Sequence, residues 1–165
     1  MFGVFITLLP KAAFSRLFGY LATIEVSIFT DVFRDVFCKL YTLDESEMQR
    51  PIKSYASLQK LFTRKLKEGA RPIADSRVVS PVDGVVSQAE LLGDSGKMIQ
   101  AKGREYKLSS LLADSKWAEK YEGGCWATIY LAPFNYHRIH TPVKGDVTRV
   151  RHIPGQMWPV NKWSV

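Results

Sequence analysis

The stretch Ser80–Val86, with the sequence SPVDGVV, marks the point where the chain changes from helical to β-rich patterning. Its proline and glycine favour turns, and the paired valines that follow are typical of a strand. A second stretch, Pro142–Val147 (PVKGDV), repeats the pattern Pro-Val-x-Gly-x-Val. Proline and glycine at a strand entry are typical of the corners of barrels and sandwiches. The repeat therefore predicts that Asp83 and His140 lie at equivalent corners and can face each other.

The patterning on the two sides of this stretch predicts an α+β fold. Apolar residues recur at three- and four-residue steps within 14–21 and 28–37, which predicts helices in the region up to Leu66. From residue 78 onward, β-branched and aromatic runs separated by turn formers predict short strands. A helix start is predicted at Thr42–Glu45, with Pro51 ending that short helix, and another helix is predicted from Ser57 to Leu66. Short strands divided by turns are predicted around Val78-Val79, Val82 and Val85-Val86, and again at Trp126–Leu131 and Val147–Ile153, with one later helix at Leu108–Tyr121. We thus expect a helical domain over 1–70 and a barrel- or sandwich-like body over 71–165.

Charge and hydropathy at the front of the chain leave two interpretations open. The formal net charge is +7, which favours anionic partners. Met1–Thr30 is apolar but interrupted by charges and a proline, so it contains no uninterrupted run of the ~18–20 residues of a membrane span and does not resemble a signal peptide. It is either a helix lying in a membrane interface or an ordinary amphipathic core helix. The cations that follow either form a solvated face or bind anionic lipid head groups: Lys53, Lys60, Arg64, Lys65, Lys67 and Arg71.

The two cysteines, Cys38 and Cys125, lie far apart and in no metal-type spacing. This favours two buried free thiols in a reducing compartment over a disulfide or a nucleophile.

The segment Tyr136–Pro142, with the sequence YHRIHTP, is the strongest candidate for catalytic residues, because it holds two of the three histidines. Histidine transfers protons near neutral pH, and a carboxylate such as Asp83 can orient it. A zinc site needs three or four ligands. Asp83 and His152 could join His137 and His140, but nothing in the spacing demands it, so no metal is expected. Nucleotide-binding and other catalytic motifs are absent, and no aromatic signature supports a nucleic-acid partner.

Several blocks together resemble the phosphatidylserine decarboxylase proenzymes of bacteria. The blocks follow the family's order and spacing after residue 60: FxRxL at Phe62–Leu66, RPI at Arg71–Ile73, SPVDGVVS at Ser80–Ser87, QAKGxxYxL at Gln100–Leu108, YLAPxxYHRIHxP at Tyr130–Pro142, and Pro154-Gly155. Each block is modest alone, and the set is specific.

The resemblance implies a proenzyme that cuts itself before a serine, which becomes a covalent pyruvoyl group at the start of a small chain. That group would act as an electron sink while phosphatidylserine loses CO2 and becomes phosphatidylethanolamine. By resemblance, His140 is the base that activates the serine, Asp83 orients His140, and His137 assists decarboxylation by binding substrate or supplying a proton. The helical region 1–70 more loosely resembles the family's membrane-associating segment. The implied location is peripheral, on the cytoplasmic side of the cell membrane, in contact with phosphatidylserine and anionic lipid. Assembly into a homo-oligomer is left open.

The family's Leu-Gly-Ser-Thr motif does not occur in the sequence. We therefore expect an N-terminal fragment, incomplete at its C-terminus, that is inactive without the missing pyruvoyl-bearing segment. Two other functions remain as alternatives. One is a non-catalytic carrier or binding module, since Pro-Val-Asp-Gly also resembles strand corners of carrier domains. The other is a peripheral membrane-binding protein without chemistry.

Overall fold

The computed structural model describes residues 11–93, 97–100 and 104–154, and these contain both helices and strands. The elements are α1 (Lys11–Thr23), α2 (Ser27–Leu40), α3 (Leu58–Phe62), β1 (Val85–Leu91), β2 (Lys97–Gln100), β3 (Arg104–Lys107), α4 (Leu108–Leu112), α5 (Ser115–Glu119) and β4 (Cys125–Tyr130). Two 3₁₀ turns, Glu45–Glu47 and Ile52–Ser54, lie between α2 and α3. The mixed helix and strand content predicted from the sequence is confirmed.

The chain forms two compact units. The first comprises Met1–Asp83 with Leu131–Gly145, and the second comprises Gly84–Tyr130 with Asp146–Val165. The domain boundary expected between residues 70 and 71 stays a prediction.

The core of the first unit is small and lies around α3. Leu61 is completely buried, and it packs with Met48 and Tyr55. Ser57 caps α3, because its hydroxyl accepts a hydrogen bond from the Lys60 amide at 3.3 Å. The backbone on either side of this core is paired through the Met48–Leu66 bridge. The resulting frame fixes residues 47–49 against 65–67.

The apolar stripe of helix α2 is exposed to solvent. Ile28, Val32, Val36 and Leu40 recur at four-residue steps and are all exposed. Its buried residues are polar instead, since Thr30 donates to the Ala56 carbonyl oxygen at 3.0 Å and Arg34 pairs with Asp31. This face is the reverse of what an ordinary core helix presents.

The described residues of the second unit form two two-stranded antiparallel sheets. β1 pairs with β4 from Val85↔Tyr130 to Leu91↔Cys125, with a bulge between Val86 and Gln88. β2 pairs with β3. The helix α4 follows β3 directly, and the next helix, α5, is capped by Asp114, whose carboxylate accepts from the Trp117 amide at 3.1 Å. Closure into a barrel or sandwich stays a prediction.

Several local predictions were wrong. The predicted helix 108–121 is split, because Ala113 adopts a left-handed conformation with φ 49° and Asp114 begins a new helix. The segments 78–82 and 147–153 are not strands. The helix expected at Thr42–Glu45 is only a 3₁₀ turn capped by Asp44, and α3 ends at Phe62 rather than Leu66.

The prediction of two buried thiols also needs correction. Both cysteines are free, but Cys38 is half-buried and Cys125 is exposed. Part of the proposed interface helix, residues 1–10, lies outside the described residues, as do residues 101–103 and Gly155 of the family blocks. In the ranges 11–93, 97–100 and 104–154, no helix combines the length and apolar character needed to cross a membrane.

The first unit should depend strongly on Leu61. We expect Leu61→Ala to lower the free energy of unfolding by about 2–5 kcal/mol, since it leaves a cavity that the small core cannot refill. Urea unfolding followed by circular dichroism measures the change. Leu40→Ala is the matched control, because Leu40 is exposed on α2 and its loss should cost far less. Equal effects of the two substitutions would contradict this assignment of the core.

Candidate functional site

Two irregular segments that carry the predicted site residues lie side by side in the first unit. The Val79 amide donates to the Pro142 carbonyl oxygen at 2.9 Å, and the His140 amide donates to the Pro81 carbonyl oxygen at 2.8 Å. These bonds join backbone segments that are about sixty residues apart in sequence. They place the backbones that lead to Asp83 and carry His140 next to each other.

The carboxylate of Asp83 is half-buried and is held by one cation. Its Oδ2 accepts a hydrogen bond from Arg71 Nε at 2.6 Å, as part of an ion pair. Among the described residues, Oδ1 has no partner. The next residue, Gly84, has to be glycine, since a Cβ there would lie 2.6 Å from the Tyr130 carbonyl oxygen. The close backbone approach explains why a glycine follows Asp83.

The imidazole of His140 is exposed and is bound on one side only. Its Nε2 lies 3.1 Å from the Tyr136 hydroxyl, and the two rings are tilted with centroids 5.6 Å apart. No hydrogen bond joins Asp83 to His140 within the described part of the chain. The structure thus brings their backbones together and leaves the free Asp83 oxygen and His140 Nδ1 available to new partners.

His137 occupies a different environment from His140. Its ring stacks on Phe62, with centroids 3.9 Å apart, and its Nε2 lies 3.0 Å from the Ala132 carbonyl oxygen. A carbonyl oxygen only accepts, so Nε2 carries the hydrogen in this contact. Burial lowers the pKa of His137 below its usual value, and the nearby positive charge of Arg64 acts in the same direction. The imidazole is therefore neutral at pH 7.

A cavity of about 160 Å³ opens beside Asp83 in the first unit. Its charged lining residues are Asp44, Glu47, Arg64, Arg71 and Asp83, and Asn135 and Tyr136 add polar groups. Arg64 is only 5% exposed and donates from Nη2 to the Phe134 carbonyl oxygen at 2.7 Å. It therefore braces the segment before His137, and it does not belong to a solvated face as one interpretation of the cationic cluster had it.

Reasoning from the sequence missed the partners of the site residues. Glu47 and Arg71 form the salt bridge next to Asp83, and Phe62 provides the surface on which His137 stacks. The only available signal was that Phe62 and Arg71 belong to the quoted blocks FxRxL and RPI. Within the described ranges, no group of three or more His, Cys, Asp or Glu residues could hold a metal ion.

The sequence profile of the phosphatidylserine decarboxylase family matches residues 58–165. The chain belongs to this family. It is 44% identical over 161 residues to the phosphatidylserine decarboxylase proenzyme of Myxococcus xanthus, a match that covers 95% of this chain and 57% of the relative. The proenzyme of Shewanella loihica is 44% identical over 158 residues, covering 93% and 55% respectively. That of Brevibacillus brevis is 43% identical over 162 residues, covering 95% and 56%.

This family membership confirms the resemblance found in the motif blocks. The chain spans little more than half the length of these curated relatives, 55–57% in the three comparisons. As a phosphatidylserine decarboxylase family member, it carries Asp83 and both histidines of the YHRIH block on the first unit.

Proposed function

We propose that the chain supplies the serine-activating part of a self-processing, pyruvoyl-dependent phosphatidylserine decarboxylase. The observation that carries the proposal is the hydrogen-bonded adjacency of residues 79–83 and 140–142 in a member of this family. It brings a carboxylate-bearing segment beside an imidazole-bearing one, as activation of a hydroxyl requires.

In this proposal His140 is the general base of self-cleavage. One ring nitrogen takes the proton of the serine hydroxyl, and the opposite ring nitrogen donates its hydrogen to Asp83 Oδ1. In the structure the Tyr136 hydroxyl is bound to His140 Nε2, so either the serine hydroxyl or Asp83 Oδ1 displaces it there. Asp83 itself keeps its bond to Arg71 throughout.

The side chains present fit the formation of a pyruvoyl group from a serine placed here, because the described residues leave one Asp83 carboxylate oxygen without a partner and expose the imidazole of His140. When present, the pyruvoyl group supplies an electron sink for loss of CO2. His137 then assists decarboxylation from its place against Phe62. Since Nε2–H is engaged by Ala132, Nδ1 is the ring atom available to a substrate.

The exposed stripe on α2 supports a peripheral site of action on the membrane. Burying apolar side chains such as Ile28, Val32 and Val36 in the lipid interface removes their area from water. Exposed cations near α3, among them Lys53 and Lys65, would add attraction to anionic head groups. We accordingly propose phosphatidylserine as substrate, the cytoplasmic face of the cell membrane as location, and a pyruvoyl-bearing small chain as partner. A homo-oligomer stays a prediction.

The proposal is tested in a chimaeric proenzyme, in which this chain replaces the matching part of the Myxococcus xanthus relative. We expect the chimaera to cut itself into two chains, to float with phosphatidylserine vesicles, and to release CO2 from them. The relative itself is the positive control on the same gel. A chimaera that stays uncut while the relative cuts would overturn the proposal.

The second candidate is a peripheral membrane-binding protein without chemistry, favoured by the outward apolar stripe of α2. It predicts flotation with the vesicles but neither cleavage nor CO2. The same experiment separates the two functions.

A further inference from the structure

The guanidinium of Arg71 is bound on three sides in the first unit. Its Nη1 and Nη2 each donate to one carboxylate oxygen of Glu47 at 2.8 Å. Its Nε donates to Asp83 Oδ2 at 2.6 Å, and Nη1 also reaches the Ala70 carbonyl oxygen at 2.7 Å. We call this arrangement of Arg71 between Glu47 and Asp83 the fork. Its several bonds restrict rotation of the guanidinium plane more than a single contact does.

The other end of the fork is fixed to the core. Glu47 closes a 3₁₀ turn, and its carbonyl oxygen accepts from the Lys67 amide at 2.8 Å. The next residue, Met48, is a buried member of the core and bridges to Leu66. Glu47 is therefore fixed to the core of the unit, and Arg71, which binds both Glu47 and Asp83, fixes Asp83 relative to that core.

The charges of the fork persist at neutral pH. Hydrogen bonding to Arg71 lowers the pKa of Glu47, and hydrogen bonding to Glu47 raises the pKa of Arg71. The other charged groups lining the same cavity are Asp44 and Arg64.

We propose that Arg71, anchored by Glu47, is a positioning residue for Asp83 in self-cleavage. By occupying Oδ2, the guanidinium leaves Oδ1 as the oxygen that accepts from the imidazole of His140. It also keeps the carboxylate from turning away from the backbone segment 140–142. This inference rests on the proposed function, and it adds Arg71 and Glu47 to the residues on which cleavage depends.

A plain surface ion pair is the competing explanation, and the chain offers a matched example of one. The side chain of Arg71 is 41% exposed and that of Arg151 is 40% exposed. Arg151 pairs with one carboxylate, that of Asp114 at 3.1 Å, where Arg71 pairs with two, and like Arg71 it also donates to the backbone. Exposed pairs of this kind contribute little to stability. Arg151 therefore serves as the control for a charge pair without a catalytic role.

The test measures the rate of self-cleavage of the chimaeric proenzyme on a denaturing gel. We expect Arg71→Ala to slow cleavage by about 10- to 100-fold, since a displaced reacting group has costs of this order. Guanidinium chloride at millimolar, non-denaturing concentration should restore part of the rate, whereas sodium chloride should not. Arg71→Lys and Glu47→Gln should retain intermediate rates, because each keeps part of the contacts. Arg151→Ala should cleave like the unsubstituted chimaera.

The outcomes separate this inference from the function on which it rests. An uncut unsubstituted chimaera would overturn both. If the unsubstituted chimaera cuts itself and Arg71→Ala cuts equally fast, only the role of Arg71 is overturned. The same holds if Arg71→Ala is slow but neither guanidinium nor lysine recovers any rate, since a purely structural defect gives that result.

Discussion

Replacing His140 by alanine in the chimaeric proenzyme should leave an uncut chain. The substitution removes the imidazole that takes the serine proton and leaves the backbone bond from residue 140 to Pro81 in place. General-base catalysis is worth about 10²–10⁴-fold, so cleavage should fall by at least that order. The measurement is the fraction of cut chain with time on a denaturing gel.

The third histidine provides the control for this result. His152 is exposed and belongs to the second unit, so His152→Ala should cleave at the unsubstituted rate. Asp83→Asn should also slow cleavage. The amide of asparagine lacks the negative charge of the Asp83 carboxylate, which orients the imidazole of His140 and stabilises its protonated form. Normal processing of His140→Ala would show that this histidine is not the base.

In contrast to His140→Ala, His137→Ala should retain self-cleavage and show impaired decarboxylation activity. The ring lies against Phe62 and its Nε2 is bound to the Ala132 carbonyl oxygen, so it takes no part in the two backbone bonds that join residues 79 and 81 to residues 142 and 140. Self-cleavage is read on the gel, and decarboxylation is read as CO2 released from phosphatidylserine vesicles. Loss of cleavage would show that the roles of the two histidines are exchanged.

A second variant separates chemistry from packing at this position. His137→Phe keeps an aromatic ring against Phe62 but removes both nitrogens, so it should also cut itself and decarboxylate poorly. If His137→Phe decarboxylates normally, the ring acts only in packing.

The lowered pKa of His137 gives an independent check on its burial. An NMR titration of the chain should place the midpoint of this ring below 6.5, the usual value for histidine. In the folded state the ring then binds fewer protons than in the unfolded state. Its neutral form therefore contributes stability above pH 6.5, and this contribution is lost as pH falls through the lowered pKa. Phe62→Ala should raise the midpoint by admitting water.

Short-range features of the fold were predictable because their causes lie within a few residues. Ser57, for example, caps the helix that directly follows it. Predictions failed where weak local preferences competed. The helix expected over 108–121 breaks at Ala113, and the valines of 147–153 form no strand among the described residues because β propensity is expressed only against a paired neighbour.

The sequence by itself determined the family, through blocks of residues whose order and spacing do not depend on conformation, and it singled out Asp83, His137 and His140. Only the tertiary structure decided which partners these side chains have. Three contacts, each between residues 12 to 75 positions apart in the chain, define the site: Asp83 with Arg71, His137 with Phe62, and His140 with Pro81. Such contacts form only when the core around Leu61 brings irregular segments together, and no local propensity encodes them.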